Sequence, residues 1–265
     1  MNDLRMELPA IALRGLTILP NMIVHFEVSR RKSKFAVEAA MMKDQNVLLV
    51  TQRHTQTEDP EERDLYGYGT VAKIKQIVKL PKNMLRVMVE GVYRARVESL
   101  VMTEPLLKAE VTVLDHTDND MDETTQQGMV RYLHDSLRTY SASNPSFSAD
   151  LAGQLMDEED LEHLVDQLCI NLPMDYKERQ KYLETTDLQM RFDQLTVFMD
   201  KEIQMIRIGR EIQEKVKARV DKNQREYILR EQMKVIREEL GEDNTQAEAK
   251  EFEKQLEALE AGSAI

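Results

Sequence analysis

The 265-residue sequence has few of the residues that break helices or cross-link chains. Proline is absent from Met174 to the C-terminus, and Gly209 is the only glycine between Asp187 and Leu240. The single cysteine, Cys169, rules out a disulfide within the chain, and its helical spacing indicates a core position. No apolar run approaches the roughly 18 residues that a membrane helix requires. These absences exclude a disulfide scaffold and a helical membrane protein, and they permit a long unbroken helix.

The charge is acidic and unevenly distributed. The formal net charge is −12. Residues 1–115 carry 17 Lys/Arg and 15 Asp/Glu, whereas residues 116–265 carry 19 Lys/Arg and 33 Asp/Glu. Neither part resembles the basic surface of a nucleic-acid-binding protein. The first residues, Met1 to Arg5, lack the basic and apolar regions of a signal peptide. We therefore expect a cytoplasmic protein that binds neither membranes nor nucleic acid.

A long helix is predicted from Asp187 to Leu240. Thr186 and Gln189 have the spacing of a capping box, and Gly241 suits the turn that closes a helix. Apolar residues recur at spacings of three and four along one face: Leu188, Phe192, Leu195, Met199, Ile212, Val216, Val220, Leu229, Met233, Ile236 and Leu240. Unbroken, the helix would extend roughly 80 Å. It would then either pair with copies of itself or hold the preceding domain at a distance from a motor.

The middle of this helix interrupts the regular stripe. Apolar residues crowd around Gly209, which is a candidate hinge. We expect the helix to pack on neighbouring short helices up to about Ile206 and to project beyond that point. Met205 could face an entry path for a bound protein, and core packing is the alternative role for it.

The predicted fold class is α+β. Residues 1–117 form a compact, β-rich, barrel-like domain, because short segments alternate in polarity and one helix, Ser33–Met42, interrupts them. A helical bundle subdomain at 118–186 continues into the very long α-helix at 187–240, and an acidic helical segment at 241–265 looks truncated. The predicted strands are Ala10–Leu13, Ile23–Val28, Val47–Thr51, Thr70–Val78, Leu85–Val92, Ala95–Leu100 and Leu107–Leu114.

Several sequence blocks, in this order and separation, resemble the N-terminal region of bacterial Lon proteases. They are Leu8–Gly15, Leu19–Met22, Arg30–Ser33 with Glu38–Met41, Gly69–Ile74, Lys79–Pro81, Val89–Arg96, and Tyr227–Gly241. The resemblance covers nearly the whole chain. It implies a β domain, a helical subdomain and a long helix that precede an ATPase module and a Ser–Lys protease domain in a hexamer.

The resemblance implies a non-catalytic region of an ATP-dependent serine protease. The chain contains no Gly-x4-Gly-Lys-Ser/Thr motif and no Ser–Lys dyad in a family-like setting. ATP and Mg²⁺ would accordingly bind in the absent ATPase module, and we expect no catalytic residue, cofactor or metal here. The implied function is recognition of unfolded or damaged proteins and support of hexamer assembly, so the expected partners are unfolded proteins and further copies of the chain.

The 16 methionines supply candidates for contact with these proteins, since Met adapts to many apolar partners. Met84 and Met88 share a predicted strand face with Arg86, which indicates that this face is not fully buried. The alternative is that these residues cap the core of the β domain. The candidate substrate-contact residues are Leu19, Pro20, Met22, Met84, Arg86, Met88 and Met205.

A basic patch begins the predicted helix at Ser33. It comprises Arg30, Arg31, Lys32 and Lys34. Cations at a helix start oppose its dipole, so helix stability does not explain them. They are either solvated or pair with acidic groups of a neighbouring subunit or a bound protein. Many bacterial relatives carry Glu at the position of Arg31, so this patch is more basic than theirs.

Two other functions remain open. A stand-alone coiled-coil scaffold predicts stable self-association through the long helix and no preference for unfolded proteins. An RNA-binding β domain predicts salt-dependent RNA binding, against which the weak positive charge of residues 1–115 argues.

Overall fold

Residues 4–114 form six strands, one α-helix and one short 3-10 helix, Glu62–Asp64, in the computed structural model, which describes residues 4–114, 119–240 and 248–256. The strands are β1 (Leu4–Leu13), β2 (Ile23–Val28), β3 (Asn46–Gln52), β4 (Leu65–Leu80), β5 (Met84–Met102) and β6 (Leu107–Leu114). Helix α1 (Arg31–Met41) lies between β2 and β3. The predicted bounds of β2 and β6 are confirmed, and the other predicted strands lie inside longer ones.

The strands make a ring of hydrogen bonds. Their order is β2-β5-β4-β3-β1-β6, and β6 also pairs with β5. The strands β5, β4, β3, β1 and β6 therefore close on themselves, while β2 pairs with β5 at the outside of the ring. Only the β1–β3 pair is parallel among these pairings. The predicted α+β class with a barrel-like β domain is confirmed.

Strand β5 is one element where the sequence predicted two, Leu85–Val92 and Ala95–Leu100. Its first part pairs with β2 as far as Glu90, and its second part pairs with β6 from Arg94 onward. Strand β5 also pairs with β4, from Met84 to Arg96. The two predicted strands are therefore two halves of one strand that exchanges partners, and the break in polarity marks that exchange.

Alternation of small and branched apolar residues builds the β core, because every second side chain of a strand points to the same side. One buried cluster gathers such residues from five strands: Leu8, Ala10, Ala12, Leu48, Val50, Leu65, Val71, Ala95, Leu107, Ala109, Val111 and Val113. Helix α1 buries Ala36, Val37 and Ala40 and lies against β1. The alanines allow the helix to approach the sheet closely.

Four short helices follow, as the apolar spacing predicted: α2 (Glu123–Ser143), α3 (Ala149–Met156), α4 (Leu161–Asn171) and α5 (Tyr176–Glu184). Each begins at a residue whose side chain accepts backbone N–H groups, namely Asp122, Ser148, Asp160 and Asp175. All four helices lie within the region predicted as a helical subdomain, 118–186.

Helix α6 (Leu188–Glu239) contains 52 residues, so the predicted long helix is confirmed. The predicted capping residue was wrong: the side chain of Asp187, and not that of Thr186, accepts the N–H of Met190 at 2.7 Å. A carboxylate at this position satisfies a free amide and also suits the helix dipole. Gly241 and Thr245, which were assigned to helix ends, lie outside the described residues. Residues 248–256 are helical.

The chain divides into two units, Met1–Ile203 and Gln204–Ile265. The first unit holds the β strands, the short helices and the start of α6, whose buried residues are Leu188, Arg191, Leu195 and Met199. The second unit holds the remainder of α6, in which every described residue except the half-buried Ile206 is exposed. Among the described residues, none of the helices combines the length and the apolar character needed to cross a membrane.

Candidate protein-binding surface

Three neighbouring strands, β2, β5 and β4, present one exposed face. Arg86 of β5 lies opposite Glu27 and Val78, and Met88 lies opposite His25 and Gln76. Directly opposed residues of antiparallel strands point to the same side of a sheet. We call this surface the Met84–Met88 face, and its side chains are Ile23, His25, Glu27, Gln76, Val78, Leu80, Met84, Arg86, Met88 and Glu90.

The Met84–Met88 face mixes apolar side chains with two ion pairs, Arg86 with Glu27 and Lys75 with Glu90. Ile23 is 63% exposed and Val78 is 42% exposed, while Met84 and Met88 are half-buried. At the centre, an Arg86 guanidinium nitrogen lies 2.8 Å from a Glu27 carboxylate oxygen. Flexible thioethers beside exposed aliphatic groups can adapt to apolar chains of different sequence. The structure therefore brings Met84, Arg86 and Met88 together, as the sequence predicted for one strand face.

Leu19, Pro20 and Met22 lie behind this region in a tight turn, and all three are buried. The Asn21 N–H donates to the Gly91 carbonyl, and the Gly91 N–H donates to the Met22 carbonyl, each at 2.9 Å. Their side chains fill the β domain instead of facing solvent, which matches the core-capping alternative. The turn holds the start of β2 against β5 and so positions the Met84–Met88 face.

Gly91 makes this turn possible. A Cβ at this position would lie 2.2 Å from the carbonyl oxygen of Leu19, a separation that no side chain could adopt. The hydroxyl of Thr70 donates to the Ile18 carbonyl at 2.6 Å and fixes the other end of the turn. The Leu19–Met22 turn can therefore dock on β5 only where that strand has a glycine.

The basic patch lies at the start of α1, and two of its members bind groups of the same chain. Arg30 donates to the carbonyl of Ala12, the side-chain oxygen of Gln52 and the carbonyl of Thr57. Partial burial, and then the nearby charge of Arg14, lower the pKa of Arg30. The Lys32 ammonium nitrogen lies 2.8 Å from a carboxylate oxygen of Asp59 and 2.9 Å from one of Glu104. These contacts tie α1 to the 53–60 loop.

The other two members differ in exposure. The guanidinium of Arg31 lies 5.3 Å from the ring centre of Phe35, and the side chain is exposed. Lys34 is half-buried. A cavity of about 440 Å³ lies beside this helix start, and Arg30, Arg31 and Lys32 are among its lining residues. Arg31 is therefore the member of the patch that is best placed to meet a partner.

A buried charge cluster, which the sequence analysis did not predict, joins the sheet to the helices. Its centre is the Asp166 carboxylate of α4, one oxygen of which accepts three hydrogen bonds. The donors are Arg94 of β5 at 3.1 Å, Tyr182 of α5 at 2.7 Å and Arg191 of α6 at 2.9 Å. Four elements that are distant in sequence thus meet on one carboxylate.

Burial dominates the chemistry of this cluster. It raises the pKa of Tyr182 well above the ordinary value, and it also raises the pKa of Cys169 nearby. Both groups are therefore held neutral, and the thiol is inert as a nucleophile. The signal that could have revealed the cluster is Arg191, which lies three residues after Leu188 and four before Leu195 on the buried side of α6. A charged residue at such a position requires a buried partner.

Two further bonds fasten α5 to the β domain. The hydroxyl of Thr17 donates to the Tyr176 carbonyl at 2.9 Å, and the side-chain amide of Gln180 donates to the Tyr68 carbonyl at 3.0 Å. Thr17 and Gln180 are both 1% exposed. Together with the charge cluster, these bonds make the sheet and the short helices a single unit that carries the Met84–Met88 face.

The second unit contains the remaining two candidates. Met205 is 59% exposed, and Gly209 lies within continuous α-helix, with no atom near the position of a Cβ. Beyond Gly209, exposed apolar residues recur on α6: Ile212, Val216, Val220, Ile228, Leu229, Met233, Val235, Ile236 and Leu240. Among the described residues, no group of three or more His, Cys, Asp or Glu side chains is arranged to hold a metal ion.

Comparison with known proteins identifies the family. Residues 7–201 match the model of the ATP-dependent protease La (LON) substrate-binding domain. The chain is 41% identical, over its full length, to a Lon protease of Lachnoclostridium phytofermentans and 34% identical, over 91% of its length, to Lon protease 1 of Bacillus subtilis. It spans about a third of the length of each, 33% and 31% respectively.

Solved structures share the fold. The N-terminal domain of a Mycobacterium avium complex Lon protease aligns with a TM-score of 0.56 at 18% identity, covering 74% of this chain and 98% of that one. A Lon N-terminal domain protein from Xanthomonas campestris aligns with a TM-score of 0.53 at 17% identity, covering 73% of this chain and 99% of that one. The sequence match over residues 7–201 and the 41% identity show that the chain belongs to the Lon substrate-binding domain family.

Proposed function

We propose that this chain is the non-catalytic, substrate-binding part of an ATP-dependent Lon protease, and that it holds exposed apolar segments of unfolded or damaged proteins. The observation that carries the proposal is the Met84–Met88 face, where methionines and exposed aliphatic groups lie beside two ion pairs. A folded protein buries its apolar segments, so such a surface would discriminate by exposure and not by sequence. The family description supports the same function.

The contact residues that we retain on this face are Met84, Arg86 and Met88. The buried turn of Leu19, Pro20 and Met22 would act indirectly, by fixing the start of β2. Met205 on α6 would be a separate contact, and Gly209 would let the helix bend when a bound protein is pulled. Arg31 is exposed at the start of α1 and would meet acidic groups of a bound protein or a neighbouring subunit.

Each contact would be weak by itself. A hexamer would present six copies of the Met84–Met88 face, and binding at one copy would raise the effective concentration of the bound chain at the others. The ATPase and protease modules would lie in the two thirds of the relatives' length that this chain does not span. ATP hydrolysis there would pull on a chain that this region has captured.

A second function, assembly, has its own support. From Arg207 onward the described part of α6 is exposed on all sides, although aliphatic residues recur along it. An isolated helix gains little stability from its own residues and usually requires a partner for its apolar side. We propose that this part of α6 pairs with other copies of the chain, which would support the ring.

The test of the main proposal is fluorescence anisotropy. A labelled protein that cannot refold is titrated with this chain, and the same protein in its folded form is the control. The proposal predicts binding of the unfolded form alone. Equal affinity for the unfolded and folded forms, or no binding of either form, would contradict the proposal.

A further inference from the structure

Strand β2 has an open edge beside the Met84–Met88 face. It stands at one end of the strand order, and β5 is the strand paired with it among the described residues. The other five strands close into a ring through the β5–β6 pairing. Strand β2 therefore offers one row of main-chain groups to solvent.

The register identifies which groups face outward. The Gly91 N–H donates to the Met22 carbonyl, so this opposed pair is a hydrogen-bonded one. Hydrogen-bonded and non-bonded pairs alternate along antiparallel strands. It follows that Val24, Phe26 and Val28 bond to β5 through their main chains. The N–H and C=O groups of Ile23, His25 and Glu27 point away from β5, and among the described residues they make no other main-chain bond.

The two margins of this three-stranded region differ in chemistry. At one margin, β4 has no β3 partner beyond Lys73, and it carries the exposed lysines Lys75 and Lys79 there. Lysines on an edge discourage pairing with another chain. At the other margin, β2 contains no lysine, and four of its six residues are apolar with high β propensity. The β2 edge therefore lacks the lysines that protect the β4 edge.

Space is available along the β2 edge. A cavity of about 160 Å³ borders Phe26, Glu27 and Val28 on one side and Ile11 to Arg14 on the other. The side chains of Ile23, His25 and Glu27 belong to the Met84–Met88 face, while their main chains line the edge. A chain paired with β2 would consequently place every second side chain beside Ile23, His25 and Glu27, on the same side of the sheet as the methionines.

We infer that an extended segment of an unfolded protein binds by adding a strand to β2, through main-chain hydrogen bonds to Ile23, His25 and Glu27. The inference rests on the proposed function and specifies how the same site takes its substrate. Main-chain pairing is available to every sequence except proline, while a folded protein has already used these groups. The site would therefore select extended, unfolded chain, and the apolar face would add a preference for alternating apolar residues.

The experiment is amide hydrogen exchange by NMR. The probe is a ten-residue peptide with an apolar residue at every second position, and its control is the same peptide with all amides N-methylated. At saturation we expect exchange of the Ile23, His25 and Glu27 amides to slow at least about tenfold, the equivalent of about 1.4 kcal/mol. Exchange of the Val24, Phe26 and Val28 amides should already be slow in the free chain, because these amides bond to β5. The methylated peptide should leave all six unchanged.

A matched pair of variants tests the same bonds. His25→Pro removes one outward N–H without removing a bond to β5, a position where an edge strand tolerates proline. His25→Ala retains that N–H. We expect peptide binding by His25→Pro to be about tenfold weaker than binding by His25→Ala, since both variants lack the imidazole and only the first lacks the N–H.

The outcomes separate the two proposals. Peptide binding that perturbs the methyl groups of Met84 and Met88 without slowing the three amides would overturn strand addition and leave the proposed function intact. Equal binding of the methylated peptide would overturn strand addition in the same way, and so would unchanged binding by a folded His25→Pro variant. Absence of binding by any unfolded chain would overturn both.

Discussion

Arg191 of α6 donates to Asp166 of α4 across 2.9 Å, and both side chains are shielded from solvent. The Asp166 carboxylate also accepts from Arg94 of β5 and from Tyr182 of α5. One carboxylate thus connects the strand that carries Met84 and Met88 with three helices. The arrangement of sheet and helices within the first unit depends on this residue.

Asp166→Ala should destabilise the first unit strongly, because it removes the carboxylate that pairs with the buried guanidinium of Arg94 and leaves Arg191 with Glu162. We expect the free energy of unfolding to fall by about 3–5 kcal/mol. Urea denaturation followed by circular dichroism measures it. The control is Asp135→Ala, which removes an ion pair to Arg138 whose partners are 75% and 67% exposed, and it should cost under about 1 kcal/mol. Similar losses for both variants would contradict this account of the cluster.

Gly91→Ala should displace the Leu19–Met22 turn, because the new Cβ would lie 2.2 Å from a main-chain oxygen that cannot rotate away. We expect a loss of about 1–3 kcal/mol in the free energy of unfolding. The matched control is Gly67→Ala in β4, where no atom lies within 4 Å of the added carbon. Thermal unfolding compares the two. Equal melting temperatures would show that the turn is not held as described.

The start of α2 should respond to acid. The N–H and hydroxyl of Thr125 bind the Asp122 carboxylate and lower its pKa below the ordinary 3.8. A lowered pKa gives stability that is complete above pH 3.8 and is lost as the pH falls through the lower folded value. The stability advantage of the parent over Asp122→Ala should therefore shrink as the pH falls below 3.8.

The control for this acid response is Asp122→Asn. A neutral amide still caps the helix, so its advantage over Asp122→Ala should stay constant across the same pH range. Urea denaturation at a series of pH values gives both differences. A constant advantage for the carboxylate would contradict the lowered pKa.

The exposed part of α6 should mediate self-association. The double variant Ile212→Glu, Val216→Glu places two charges on side chains that are each 56% exposed and apolar. We expect it to sediment as a monomer at concentrations where the parent chain forms larger species. Gln213→Glu, Asn223→Glu adds the same charge at polar positions and should sediment like the parent. A parent chain that is monomeric throughout would contradict the assembly proposal.

Much of the fold follows from local patterns. Strands β2 and β6 were predicted to the residue, because their alternation is bounded by polar and turn residues on both sides. The long helix followed from missing proline and glycine together with the apolar stripe. Such features depend on neighbours in sequence, which is why periodicity reveals them.

The errors arise where distant segments meet. Strand β5 was divided in two because its change of partner near Gly91 interrupts the pattern without ending the strand. For the Leu19–Met22 turn the sequence left contact with a bound protein and capping of the core as alternatives, and its docking on β5 buries all three candidate side chains. The carboxylate of Asp166 gathers partners up to 72 residues away. A single sequence gives only weak signals of such long-range contacts. One example is an arginine within an apolar stripe.

The central claim is that the Met84–Met88 face captures unfolded chains, and one anisotropy titration tests it most directly. The variant is Met84→Asp, Met88→Asp, and the matched control is Met42→Asp, Met190→Asp, at methionines that are 86% and 56% exposed elsewhere. With a labelled protein that cannot refold, we predict at least about tenfold weaker binding for the variant and less than about twofold change for the control. Equal binding by the parent, the variant and the control, with all three folded by circular dichroism, would contradict the claim.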